Sequence, residues 1–266
     1  MTVTRPHSNT PKLELRYENH IATLTLNNPS ANTWDEESLT ALPALINALN
    51  QDQATTCLIL TGAGEKFFSA GADLKLFADG DKARARRMAR LFGEAFETLS
   101  NFNGISIAAI NGYAMGGGLE CALACDLRIA AEEAILALPE ASVGLLPCAG
   151  GTQNLSWLVG EGWAKRMILL GEKIKAPHAL SIGLVEACVP RAQVQEEALR
   201  WAQQAGRQSP PAVRACKQLI QAGRYAPMAQ ALPLERERFV DLFDTLDQKE
   251  GVNAFLEKRP PHWKNA

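Results

Sequence analysis

Ile105-Ser106-Ile107-Ala108-Ala109-Ile110 leads into Asn111-Gly112-Tyr113-Ala114-Met115-Gly116-Gly117-Gly118-Leu119-Glu120. That stretch reads as a buried strand, a glycine turn and the opening of a helix that carries a carboxylate. A second carboxylate, Glu140 in Leu138-Pro139-Glu140, follows the next strand signal, and Pro147-Cys148-Ala149-Gly150-Gly151-Thr152-Gln153 comes soon after. Consecutive glycines let backbone amides approach a ligand, because no Cβ stands in the way. A helix opening there aims free N–H groups and the positive end of its dipole at whatever binds. Such a layout can hold a developing oxyanion while two carboxyl groups move protons.

Upstream, residues 13–17 and 21–26 alternate apolar and polar side chains around Glu18-Asn19-His20, which signals a β-hairpin. Apolar positions 39, 42, 45, 46 and 49 predict a helix over 35–50, and positions 88, 91, 92, 95, 96 and 99 predict another over 81–99. Residues 57–60 read as a short buried strand and 67–74 as a loop. Downstream, the pattern predicts a helix at 117–125, strands at 127–130, 134–138 and 182–189, and helices at 152–159 and 161–170. Beyond 192 the chain reads as helical over 194–208, 210–222 and 228–247. Strand-then-helix recurrence argues an α/β core over 13–195, with a C-terminal helical region over 196–266. Those last helices are too few to bury a core alone, so they should pack on the core or on a neighbouring subunit.

The 266 residues include 47% apolar and 21% charged side chains, ordinary values for a globular protein with a sizeable core. A formal net charge of −2 gives nothing global to draw the chain to nucleic acid or an anionic membrane. Residues 1–12 lack the apolar centre of a signal peptide and read as a mobile tail, and no apolar run is long enough to span a membrane. A soluble, cytoplasmic protein is expected. The six cysteines form no C-x-x-C pair and the four histidines are scattered, which favours reduced core thiols and no metal site.

Glu120 is flanked by Leu119, Cys121, Ala122, Leu123, Ala124 and Cys125, so its helix is apolar or small all round and should be buried. A buried carboxylate is costly unless paired or functional. Catalysis and an ion pair with Arg128 are both open on residue types alone, although Asp126 is the nearer partner for that arginine. Glu140 draws its weight from lying between two glycine motifs. Two carboxyl groups in one pocket titrate apart, one acidic and one ionised, which suits adding or removing water across a double bond. The amide of Ala72, in Gly71-Ala72-Asp73, is a candidate partner for that of Gly117 in an oxyanion hole. Gly62-Ala63-Gly64 lacks the third glycine and following helix of a dinucleotide fold. Lys82, Arg84, Arg86, Arg87 and Arg90 form a basic stripe that is either a solvated face or an attraction site for a polyanion such as a nucleotide phosphate.

Residues 111–120, Pro139-Glu140, Ser69-Ala70-Gly71-Ala72-Asp73-Leu74, Ala149-Gly150-Gly151-Thr152-Gln153 and Glu250-Gly251-Val252-Asn253-Ala254-Phe255-Leu256-Glu257-Lys258-Arg259 together resemble the enoyl-CoA hydratase/isomerase (crotonase) family. The resemblance runs in order from about residue 13 to the C-terminus. It implies a spiral of ββα units with a C-terminal helical trimerisation region, assembled as a trimer or dimer of trimers. It implies a hydro-lyase acting on acyl-CoA, with no cofactor beyond the CoA of the substrate. Carried over by position, Ala72 and Gly117 supply the oxyanion hole and Glu120 and Glu140 are the catalytic pair. Ala70, Asp73, Leu74 and Lys75 contact CoA, while Phe255 and Lys258 reach it from an adjacent subunit. Keeping both glutamates favours hydration over isomerisation. Two departures stand out: Cys148 replaces a common glycine, and Ala31-Asn32-Thr33-Trp34 replaces the usual alanine-asparagine-alanine-leucine type. The latter resembles a subgroup thought to make cis-2-unsaturated fatty acids from acyl thioesters by dehydratase or thioesterase chemistry.

Overall fold

The computed structural model, which describes residues 5–266, opens its regular structure with the expected hairpin of β1 (Leu13–Glu18) and β2 (Ile21–Leu26). Helix α1 (Glu36–Gln51) follows, with Asp35 and Ser38 exchanging side-chain and backbone hydrogen bonds at its start. Then comes a repeated motif. β3 (Cys57–Gly62), β4 (Phe67–Ser69) and α2 (Lys82–Ser100) form one ββα unit. β5 (Ile105–Ile110), β6 (Tyr113–Met115) and α3 (Gly117–Ala124) form the next. β7 (Leu127–Ala131), β8 (Ile135–Ala137) and α4 (Gly151–Leu169) form a third, whose helix is broken by Gly160 at φ 76°. β9 (Ile174–Lys175), α5 (Ala176–Ser181), β10 (Ala187–Val189) and α6 (Val194–Ala205) complete this part.

Each unit sends its first strand to one sheet and its second to another. The large sheet has the order β1-β2-β3-β5-β7-β10 and is parallel from β2 onward; the small one has the order β4-β6-β8-β9. Burial explains why the large sheet reads so clearly. Leu58, Ile59, Leu60, Ile107, Ala108, Ala109 and Ile110 are fully enclosed, as strands covered on both faces must be. Within the small sheet β4, β6 and β8 are parallel neighbours. Their carboxyl ends therefore lie side by side, and the loops leaving them emerge together. In parallel sheets that edge is where ligands bind.

Two compact units divide the chain, one running to Ala202 and the other Gln203–Ala266. The first extends past the expected boundary at 195 because α6 buries Val194, Ala198 and Ala202. In the second, α7 (Pro210–Ala222) falls where a helix is expected, while α8 (Met228–Asp241) and α9 (Leu246–Leu256) take the place of the expected 228–247 helix. Thr245 is the reason: its extended backbone stops one helix and its hydroxyl caps the next by accepting from the Gln248 N–H. Glu250 clamps the C-terminal segment, accepting from both Arg259 and the His262 amide.

Other expectations change in detail. Residues 5–12, read as part of a mobile tail, are tied down: the Tyr17 hydroxyl donates to Pro6 O, and buried Thr10 donates to Glu37. The rest of that stretch, residues 1–4, lies outside the described residues. The 182–189 strand shrinks to β10, since Gly183 turns the chain at φ 76°. Arg128 pairs not with Asp126 but with Glu186, at 2.6 Å. Asp126 instead accepts from the Ser106 amide and hydroxyl. No helix among the described residues is long and apolar enough to cross a membrane.

Candidate active site

Three loops meet at the carboxyl edge of the small sheet: Ala70 to Asp73 after β4, Gly116 and Gly117 after β6, and Leu138 to Glu140 after β8. The first is zipped to residues 31–34. Ala70 N–H donates to Ala31 O at 2.9 Å, the Ser69 hydroxyl to Asn32 O at 2.7 Å, and Trp34 N–H to Gly71 O at 2.8 Å. Asp73 N–H closes the pairing by donating to Trp34 O. Ala72 sits between those last two bonds, bridged to Trp34, so its own amide faces the opposite side. Gly117 is the first residue of α3 and has no intrahelical acceptor for its N–H. The two loops touch through main chain. A Cβ on Gly71, whose φ is +89°, would stand 2.6 Å from Met115 O and 3.0 Å from Gly117 N. Only glycine permits that approach, and it brings the Ala72 and Gly117 amides together.

Glu120 is buried within α3, whose every residue is enclosed. Its Oε1 accepts from the backbone N–H groups of Ala149 at 2.8 Å and Gly151 at 2.9 Å. Gly151 begins α4, so the carboxylate also lies at the positive end of that helix dipole. Burial raises the Glu120 pKa, and the two amides oppose the rise. Glu140 differs. It opens a short 3-10 turn, and both its carboxyl oxygens are buried with no hydrogen-bond partner among the described residues. Burial, and then the charge of Glu120, push it up to about 7. Cys148 belongs to the same cluster, its thiol pushed up to about 11 by burial and by both carboxylates. The residue itself is exposed.

Of the remaining expected residues, Ala70 and Asp73 are part-buried in the first loop, and Asp73 caps the turn that carries exposed Leu74 and Lys75. Phe255 and Lys258 belong to the second unit, where Phe255 is 83% exposed. The basic stripe is largely neutralised in place: Arg84 pairs with Asp79, Arg87 with Glu36 and Arg90 with Glu94. No group of three or more potential metal ligands gathers among the described residues. Sequence reasoning missed the Ala149 and Gly151 amides as the holders of Glu120. The Gly150-Gly151 pair ahead of a helix was the signal that could have found them.

Two ββα turns that deliver paired amides, and a third that brings up a second glutamate, place the chain among the crotonase-type α/β enzymes. The enoyl-CoA hydratase/isomerase profile matches residues 16–266, and the chain belongs to that family. It is 39% identical to the short-chain-enoyl-CoA hydratase of Clostridium acetobutylicum, over 92% of this chain and 94% of that protein. With the crotonyl-CoA hydratase of Syntrophomonas wolfei it shares 37% identity, over 92% and 95%. The solved structure of Pseudomonas aeruginosa DspI superposes with a TM-score of 0.95 at 61% identity, covering 99% of this chain and all of that one.

Proposed function

We propose that the protein is an enoyl-CoA hydratase, adding water reversibly to a trans-2-enoyl-CoA to give a 3-hydroxyacyl-CoA. One observation carries the reading. Two glutamates share a site but stand in opposed environments, Glu120 held by two amides and Glu140 held by none. The thioester oxygen accepts from the amides of Ala72 and Gly117. Glu120 orients the water and takes its proton as the oxygen bonds to C3. The π electrons move to C2 through an enolate whose charge rests on the oxyanion hole, and Glu140 gives its proton to C2. Dehydration runs the same steps backward. The site needs no cofactor beyond the CoA of the substrate.

CoA lies along Ala70, Asp73, Leu74 and Lys75. Phe255 and Lys258 reach it from a neighbouring subunit of a trimer or dimer of trimers. The apolar side chains that the second unit exposes, among them Tyr225, Met228, Phe239 and Val240, support such an assembly. The expected location is the cytoplasm. Hydration of crotonyl-CoA and longer trans-2-enoyl-CoAs, followed by the loss of absorbance of the conjugated thioester, tests the reading. Absence of turnover across that series overturns it.

A second reading rests on Trp34 and Cys148, the two departures from the common family pattern. It is dehydration of a 3-hydroxyacyl thioester, with loss of water forming the double bond, followed by hydrolysis of the thioester, yielding a free cis-2-unsaturated acid and CoA. Mass spectrometry of products from 3-hydroxyacyl-CoA separates the two, since only the second releases a free unsaturated acid.

A further inference from the structure

Trp34 is 1% exposed, yet its indole N–H has no acceptor among the described residues. A buried, unpaired donor carries a cost that an aliphatic side chain at this position would avoid. No hydrogen bond holds the ring in place, so its size and shape are what it contributes. The ring meets Phe96 edge-on, with centroids 5.3 Å apart and planes at 71°. Phe96 meets Phe92 in the same way, at 5.8 Å and 78°. Phe92 then closes on the glycine turn: its Cε1 is 2.9 Å from where a Cβ on Gly117 would stand. At the other end, the backbone of Trp34 is bridged to Ala72 and bonded to both of its neighbours.

These contacts make a closed circuit. It runs from Ala72 through Trp34, Phe96 and Phe92 to Gly117, and returns through the direct contact of Gly71 with Gly117. We infer that Trp34, Phe96 and Phe92 form a rigid aromatic brace that sets the spacing and direction of the Ala72 and Gly117 amides, so that Trp34 and Phe92 are positioning residues for the oxyanion hole. The inference rests on the hydratase reading. Rings suit this task, because three edge-to-face aromatics have few rotamers and transmit displacement instead of absorbing it. Loss of the indole leaves the strand pairing at Ala72 intact but removes the wall that fixes its distance from Gly117. Misplacing a catalytic group by about 1 Å costs on the order of 10²-fold in rate.

The test uses the full-length protein and a conjugated aryl-enoyl-CoA, whose absorption moves to longer wavelength when hydrogen bonds polarise its thioester carbonyl. Trp34→Leu and Phe92→Leu should each lower kcat for crotonyl-CoA about 10- to 100-fold with KM changed less than about threefold. Each should shrink the wavelength shift of the bound probe while the shape of the pH–rate profile stays as in wild type. Trp34→Phe, which keeps an edge-to-face ring, should recover most of both losses, and it gives the reading if Trp34→Leu does not fold. A full wavelength shift in folded Trp34→Leu or Phe92→Leu overturns the brace. So does a kcat loss in Trp34→Phe equal to that in Trp34→Leu. If wild type itself shifts no probe and hydrates no enoyl-CoA, the failure belongs to the hydratase reading instead.

Discussion

Glu120 and Gly151 are joined by a 2.9 Å hydrogen bond at a point where a Cβ on Gly151 would stand 2.8 Å from the same carboxylate oxygen. The glycine is thus both donor and clearance. Gly151→Ala should push the carboxylate off the two amides and also press on the ring of Pro147, whose Cβ would lie 2.9 Å from the added methyl. Activity should fall about 10- to 100-fold, in line with misplacement of one catalytic group. Stability should drop by about 1–3 kcal/mol as buried hydrogen bonds are lost. Steady-state kinetics and urea unfolding on the same preparation read both effects. Unchanged kinetics would mean that Glu120 needs no fixed position.

Replacing the carboxylates themselves separates position from chemistry. A positioned acid or base contributes about 10²–10⁴-fold, so Glu120→Gln and Glu140→Gln should each lower kcat by that range. In the proposed mechanism both groups act on one water and one double bond, so the double variant should fall short of the product of the two losses. Binding of free CoA, measured by calorimetry, should hardly change, since the proposed CoA contacts are with other residues. Either single variant hydrating at near wild-type rate would remove that glutamate from the mechanism.

The environment of Glu140 predicts two pH dependences of known sign. As the proposed proton donor to C2 it must be protonated, and burial pushes its pKa up to about 7, so hydration kcat/KM should fall as pH rises past that value. The same shift bears on stability. A carboxyl whose folded pKa is raised stabilises the fold fully below its unfolded pKa of about 4.3, and that contribution is lost as pH climbs to the folded value. Glu140→Gln should therefore be the more stable protein at pH 8, by about 1–2 kcal/mol after solvent screening. It should match wild type near pH 4. Urea midpoints at the two pH values give the comparison, and a variant less stable than wild type at pH 8 would contradict it.

How much of this was legible in the sequence follows from element length and contact distance. The strand Ile105–Ile110 and the glycine-opened helix after it are long, apolar and locally patterned, so residue types and spacing alone were enough to single out Glu120. The small sheet could not be read that way. β4 and β6 have three residues each, too few to show alternation, and read as a loop and a turn, whereas β8 falls inside the expected strand at 134–138. Yet those strands bring the site together. Trp34 stands out in the sequence only as part of a departure from the family pattern, because its contacts with Phe96 and Ala72 lie far along the chain. Arg128 shows the same limit. Sequence proximity chose Asp126, whereas the pairing of β7 with β10 delivers Glu186 from 58 residues away.

That ion pair supports the helix carrying Glu120 at its C-terminal end. The Arg128 side chain is 3% exposed, and its guanidinium donates to Cys125 O at 2.8 Å and to Ala122 O at 3.4 Å, at the C-terminal end of α3. It also donates to Leu184 O and Glu186, so one cation ties the helix that carries Glu120 to the chain entering β10. A cation suits the negative end of that helix dipole. Removing one member of a buried pair leaves the other charge uncompensated, at a cost of about 3–5 kcal/mol, whereas an apolar pair of similar volume can be neutral. Arg128→Met should approach that loss. Glu186→Leu should cost less, because Glu186 is partly exposed and the guanidinium keeps its carbonyl acceptors. The double variant should be less destabilised than the sum of the two, and a strictly additive double-mutant cycle from chemical denaturation would show that the pair is not coupled. Where Arg128→Met stays folded, its kcat should also fall, since the carbonyl end of α3 is then free to shift Glu120 against the Ala149 and Gly151 amides.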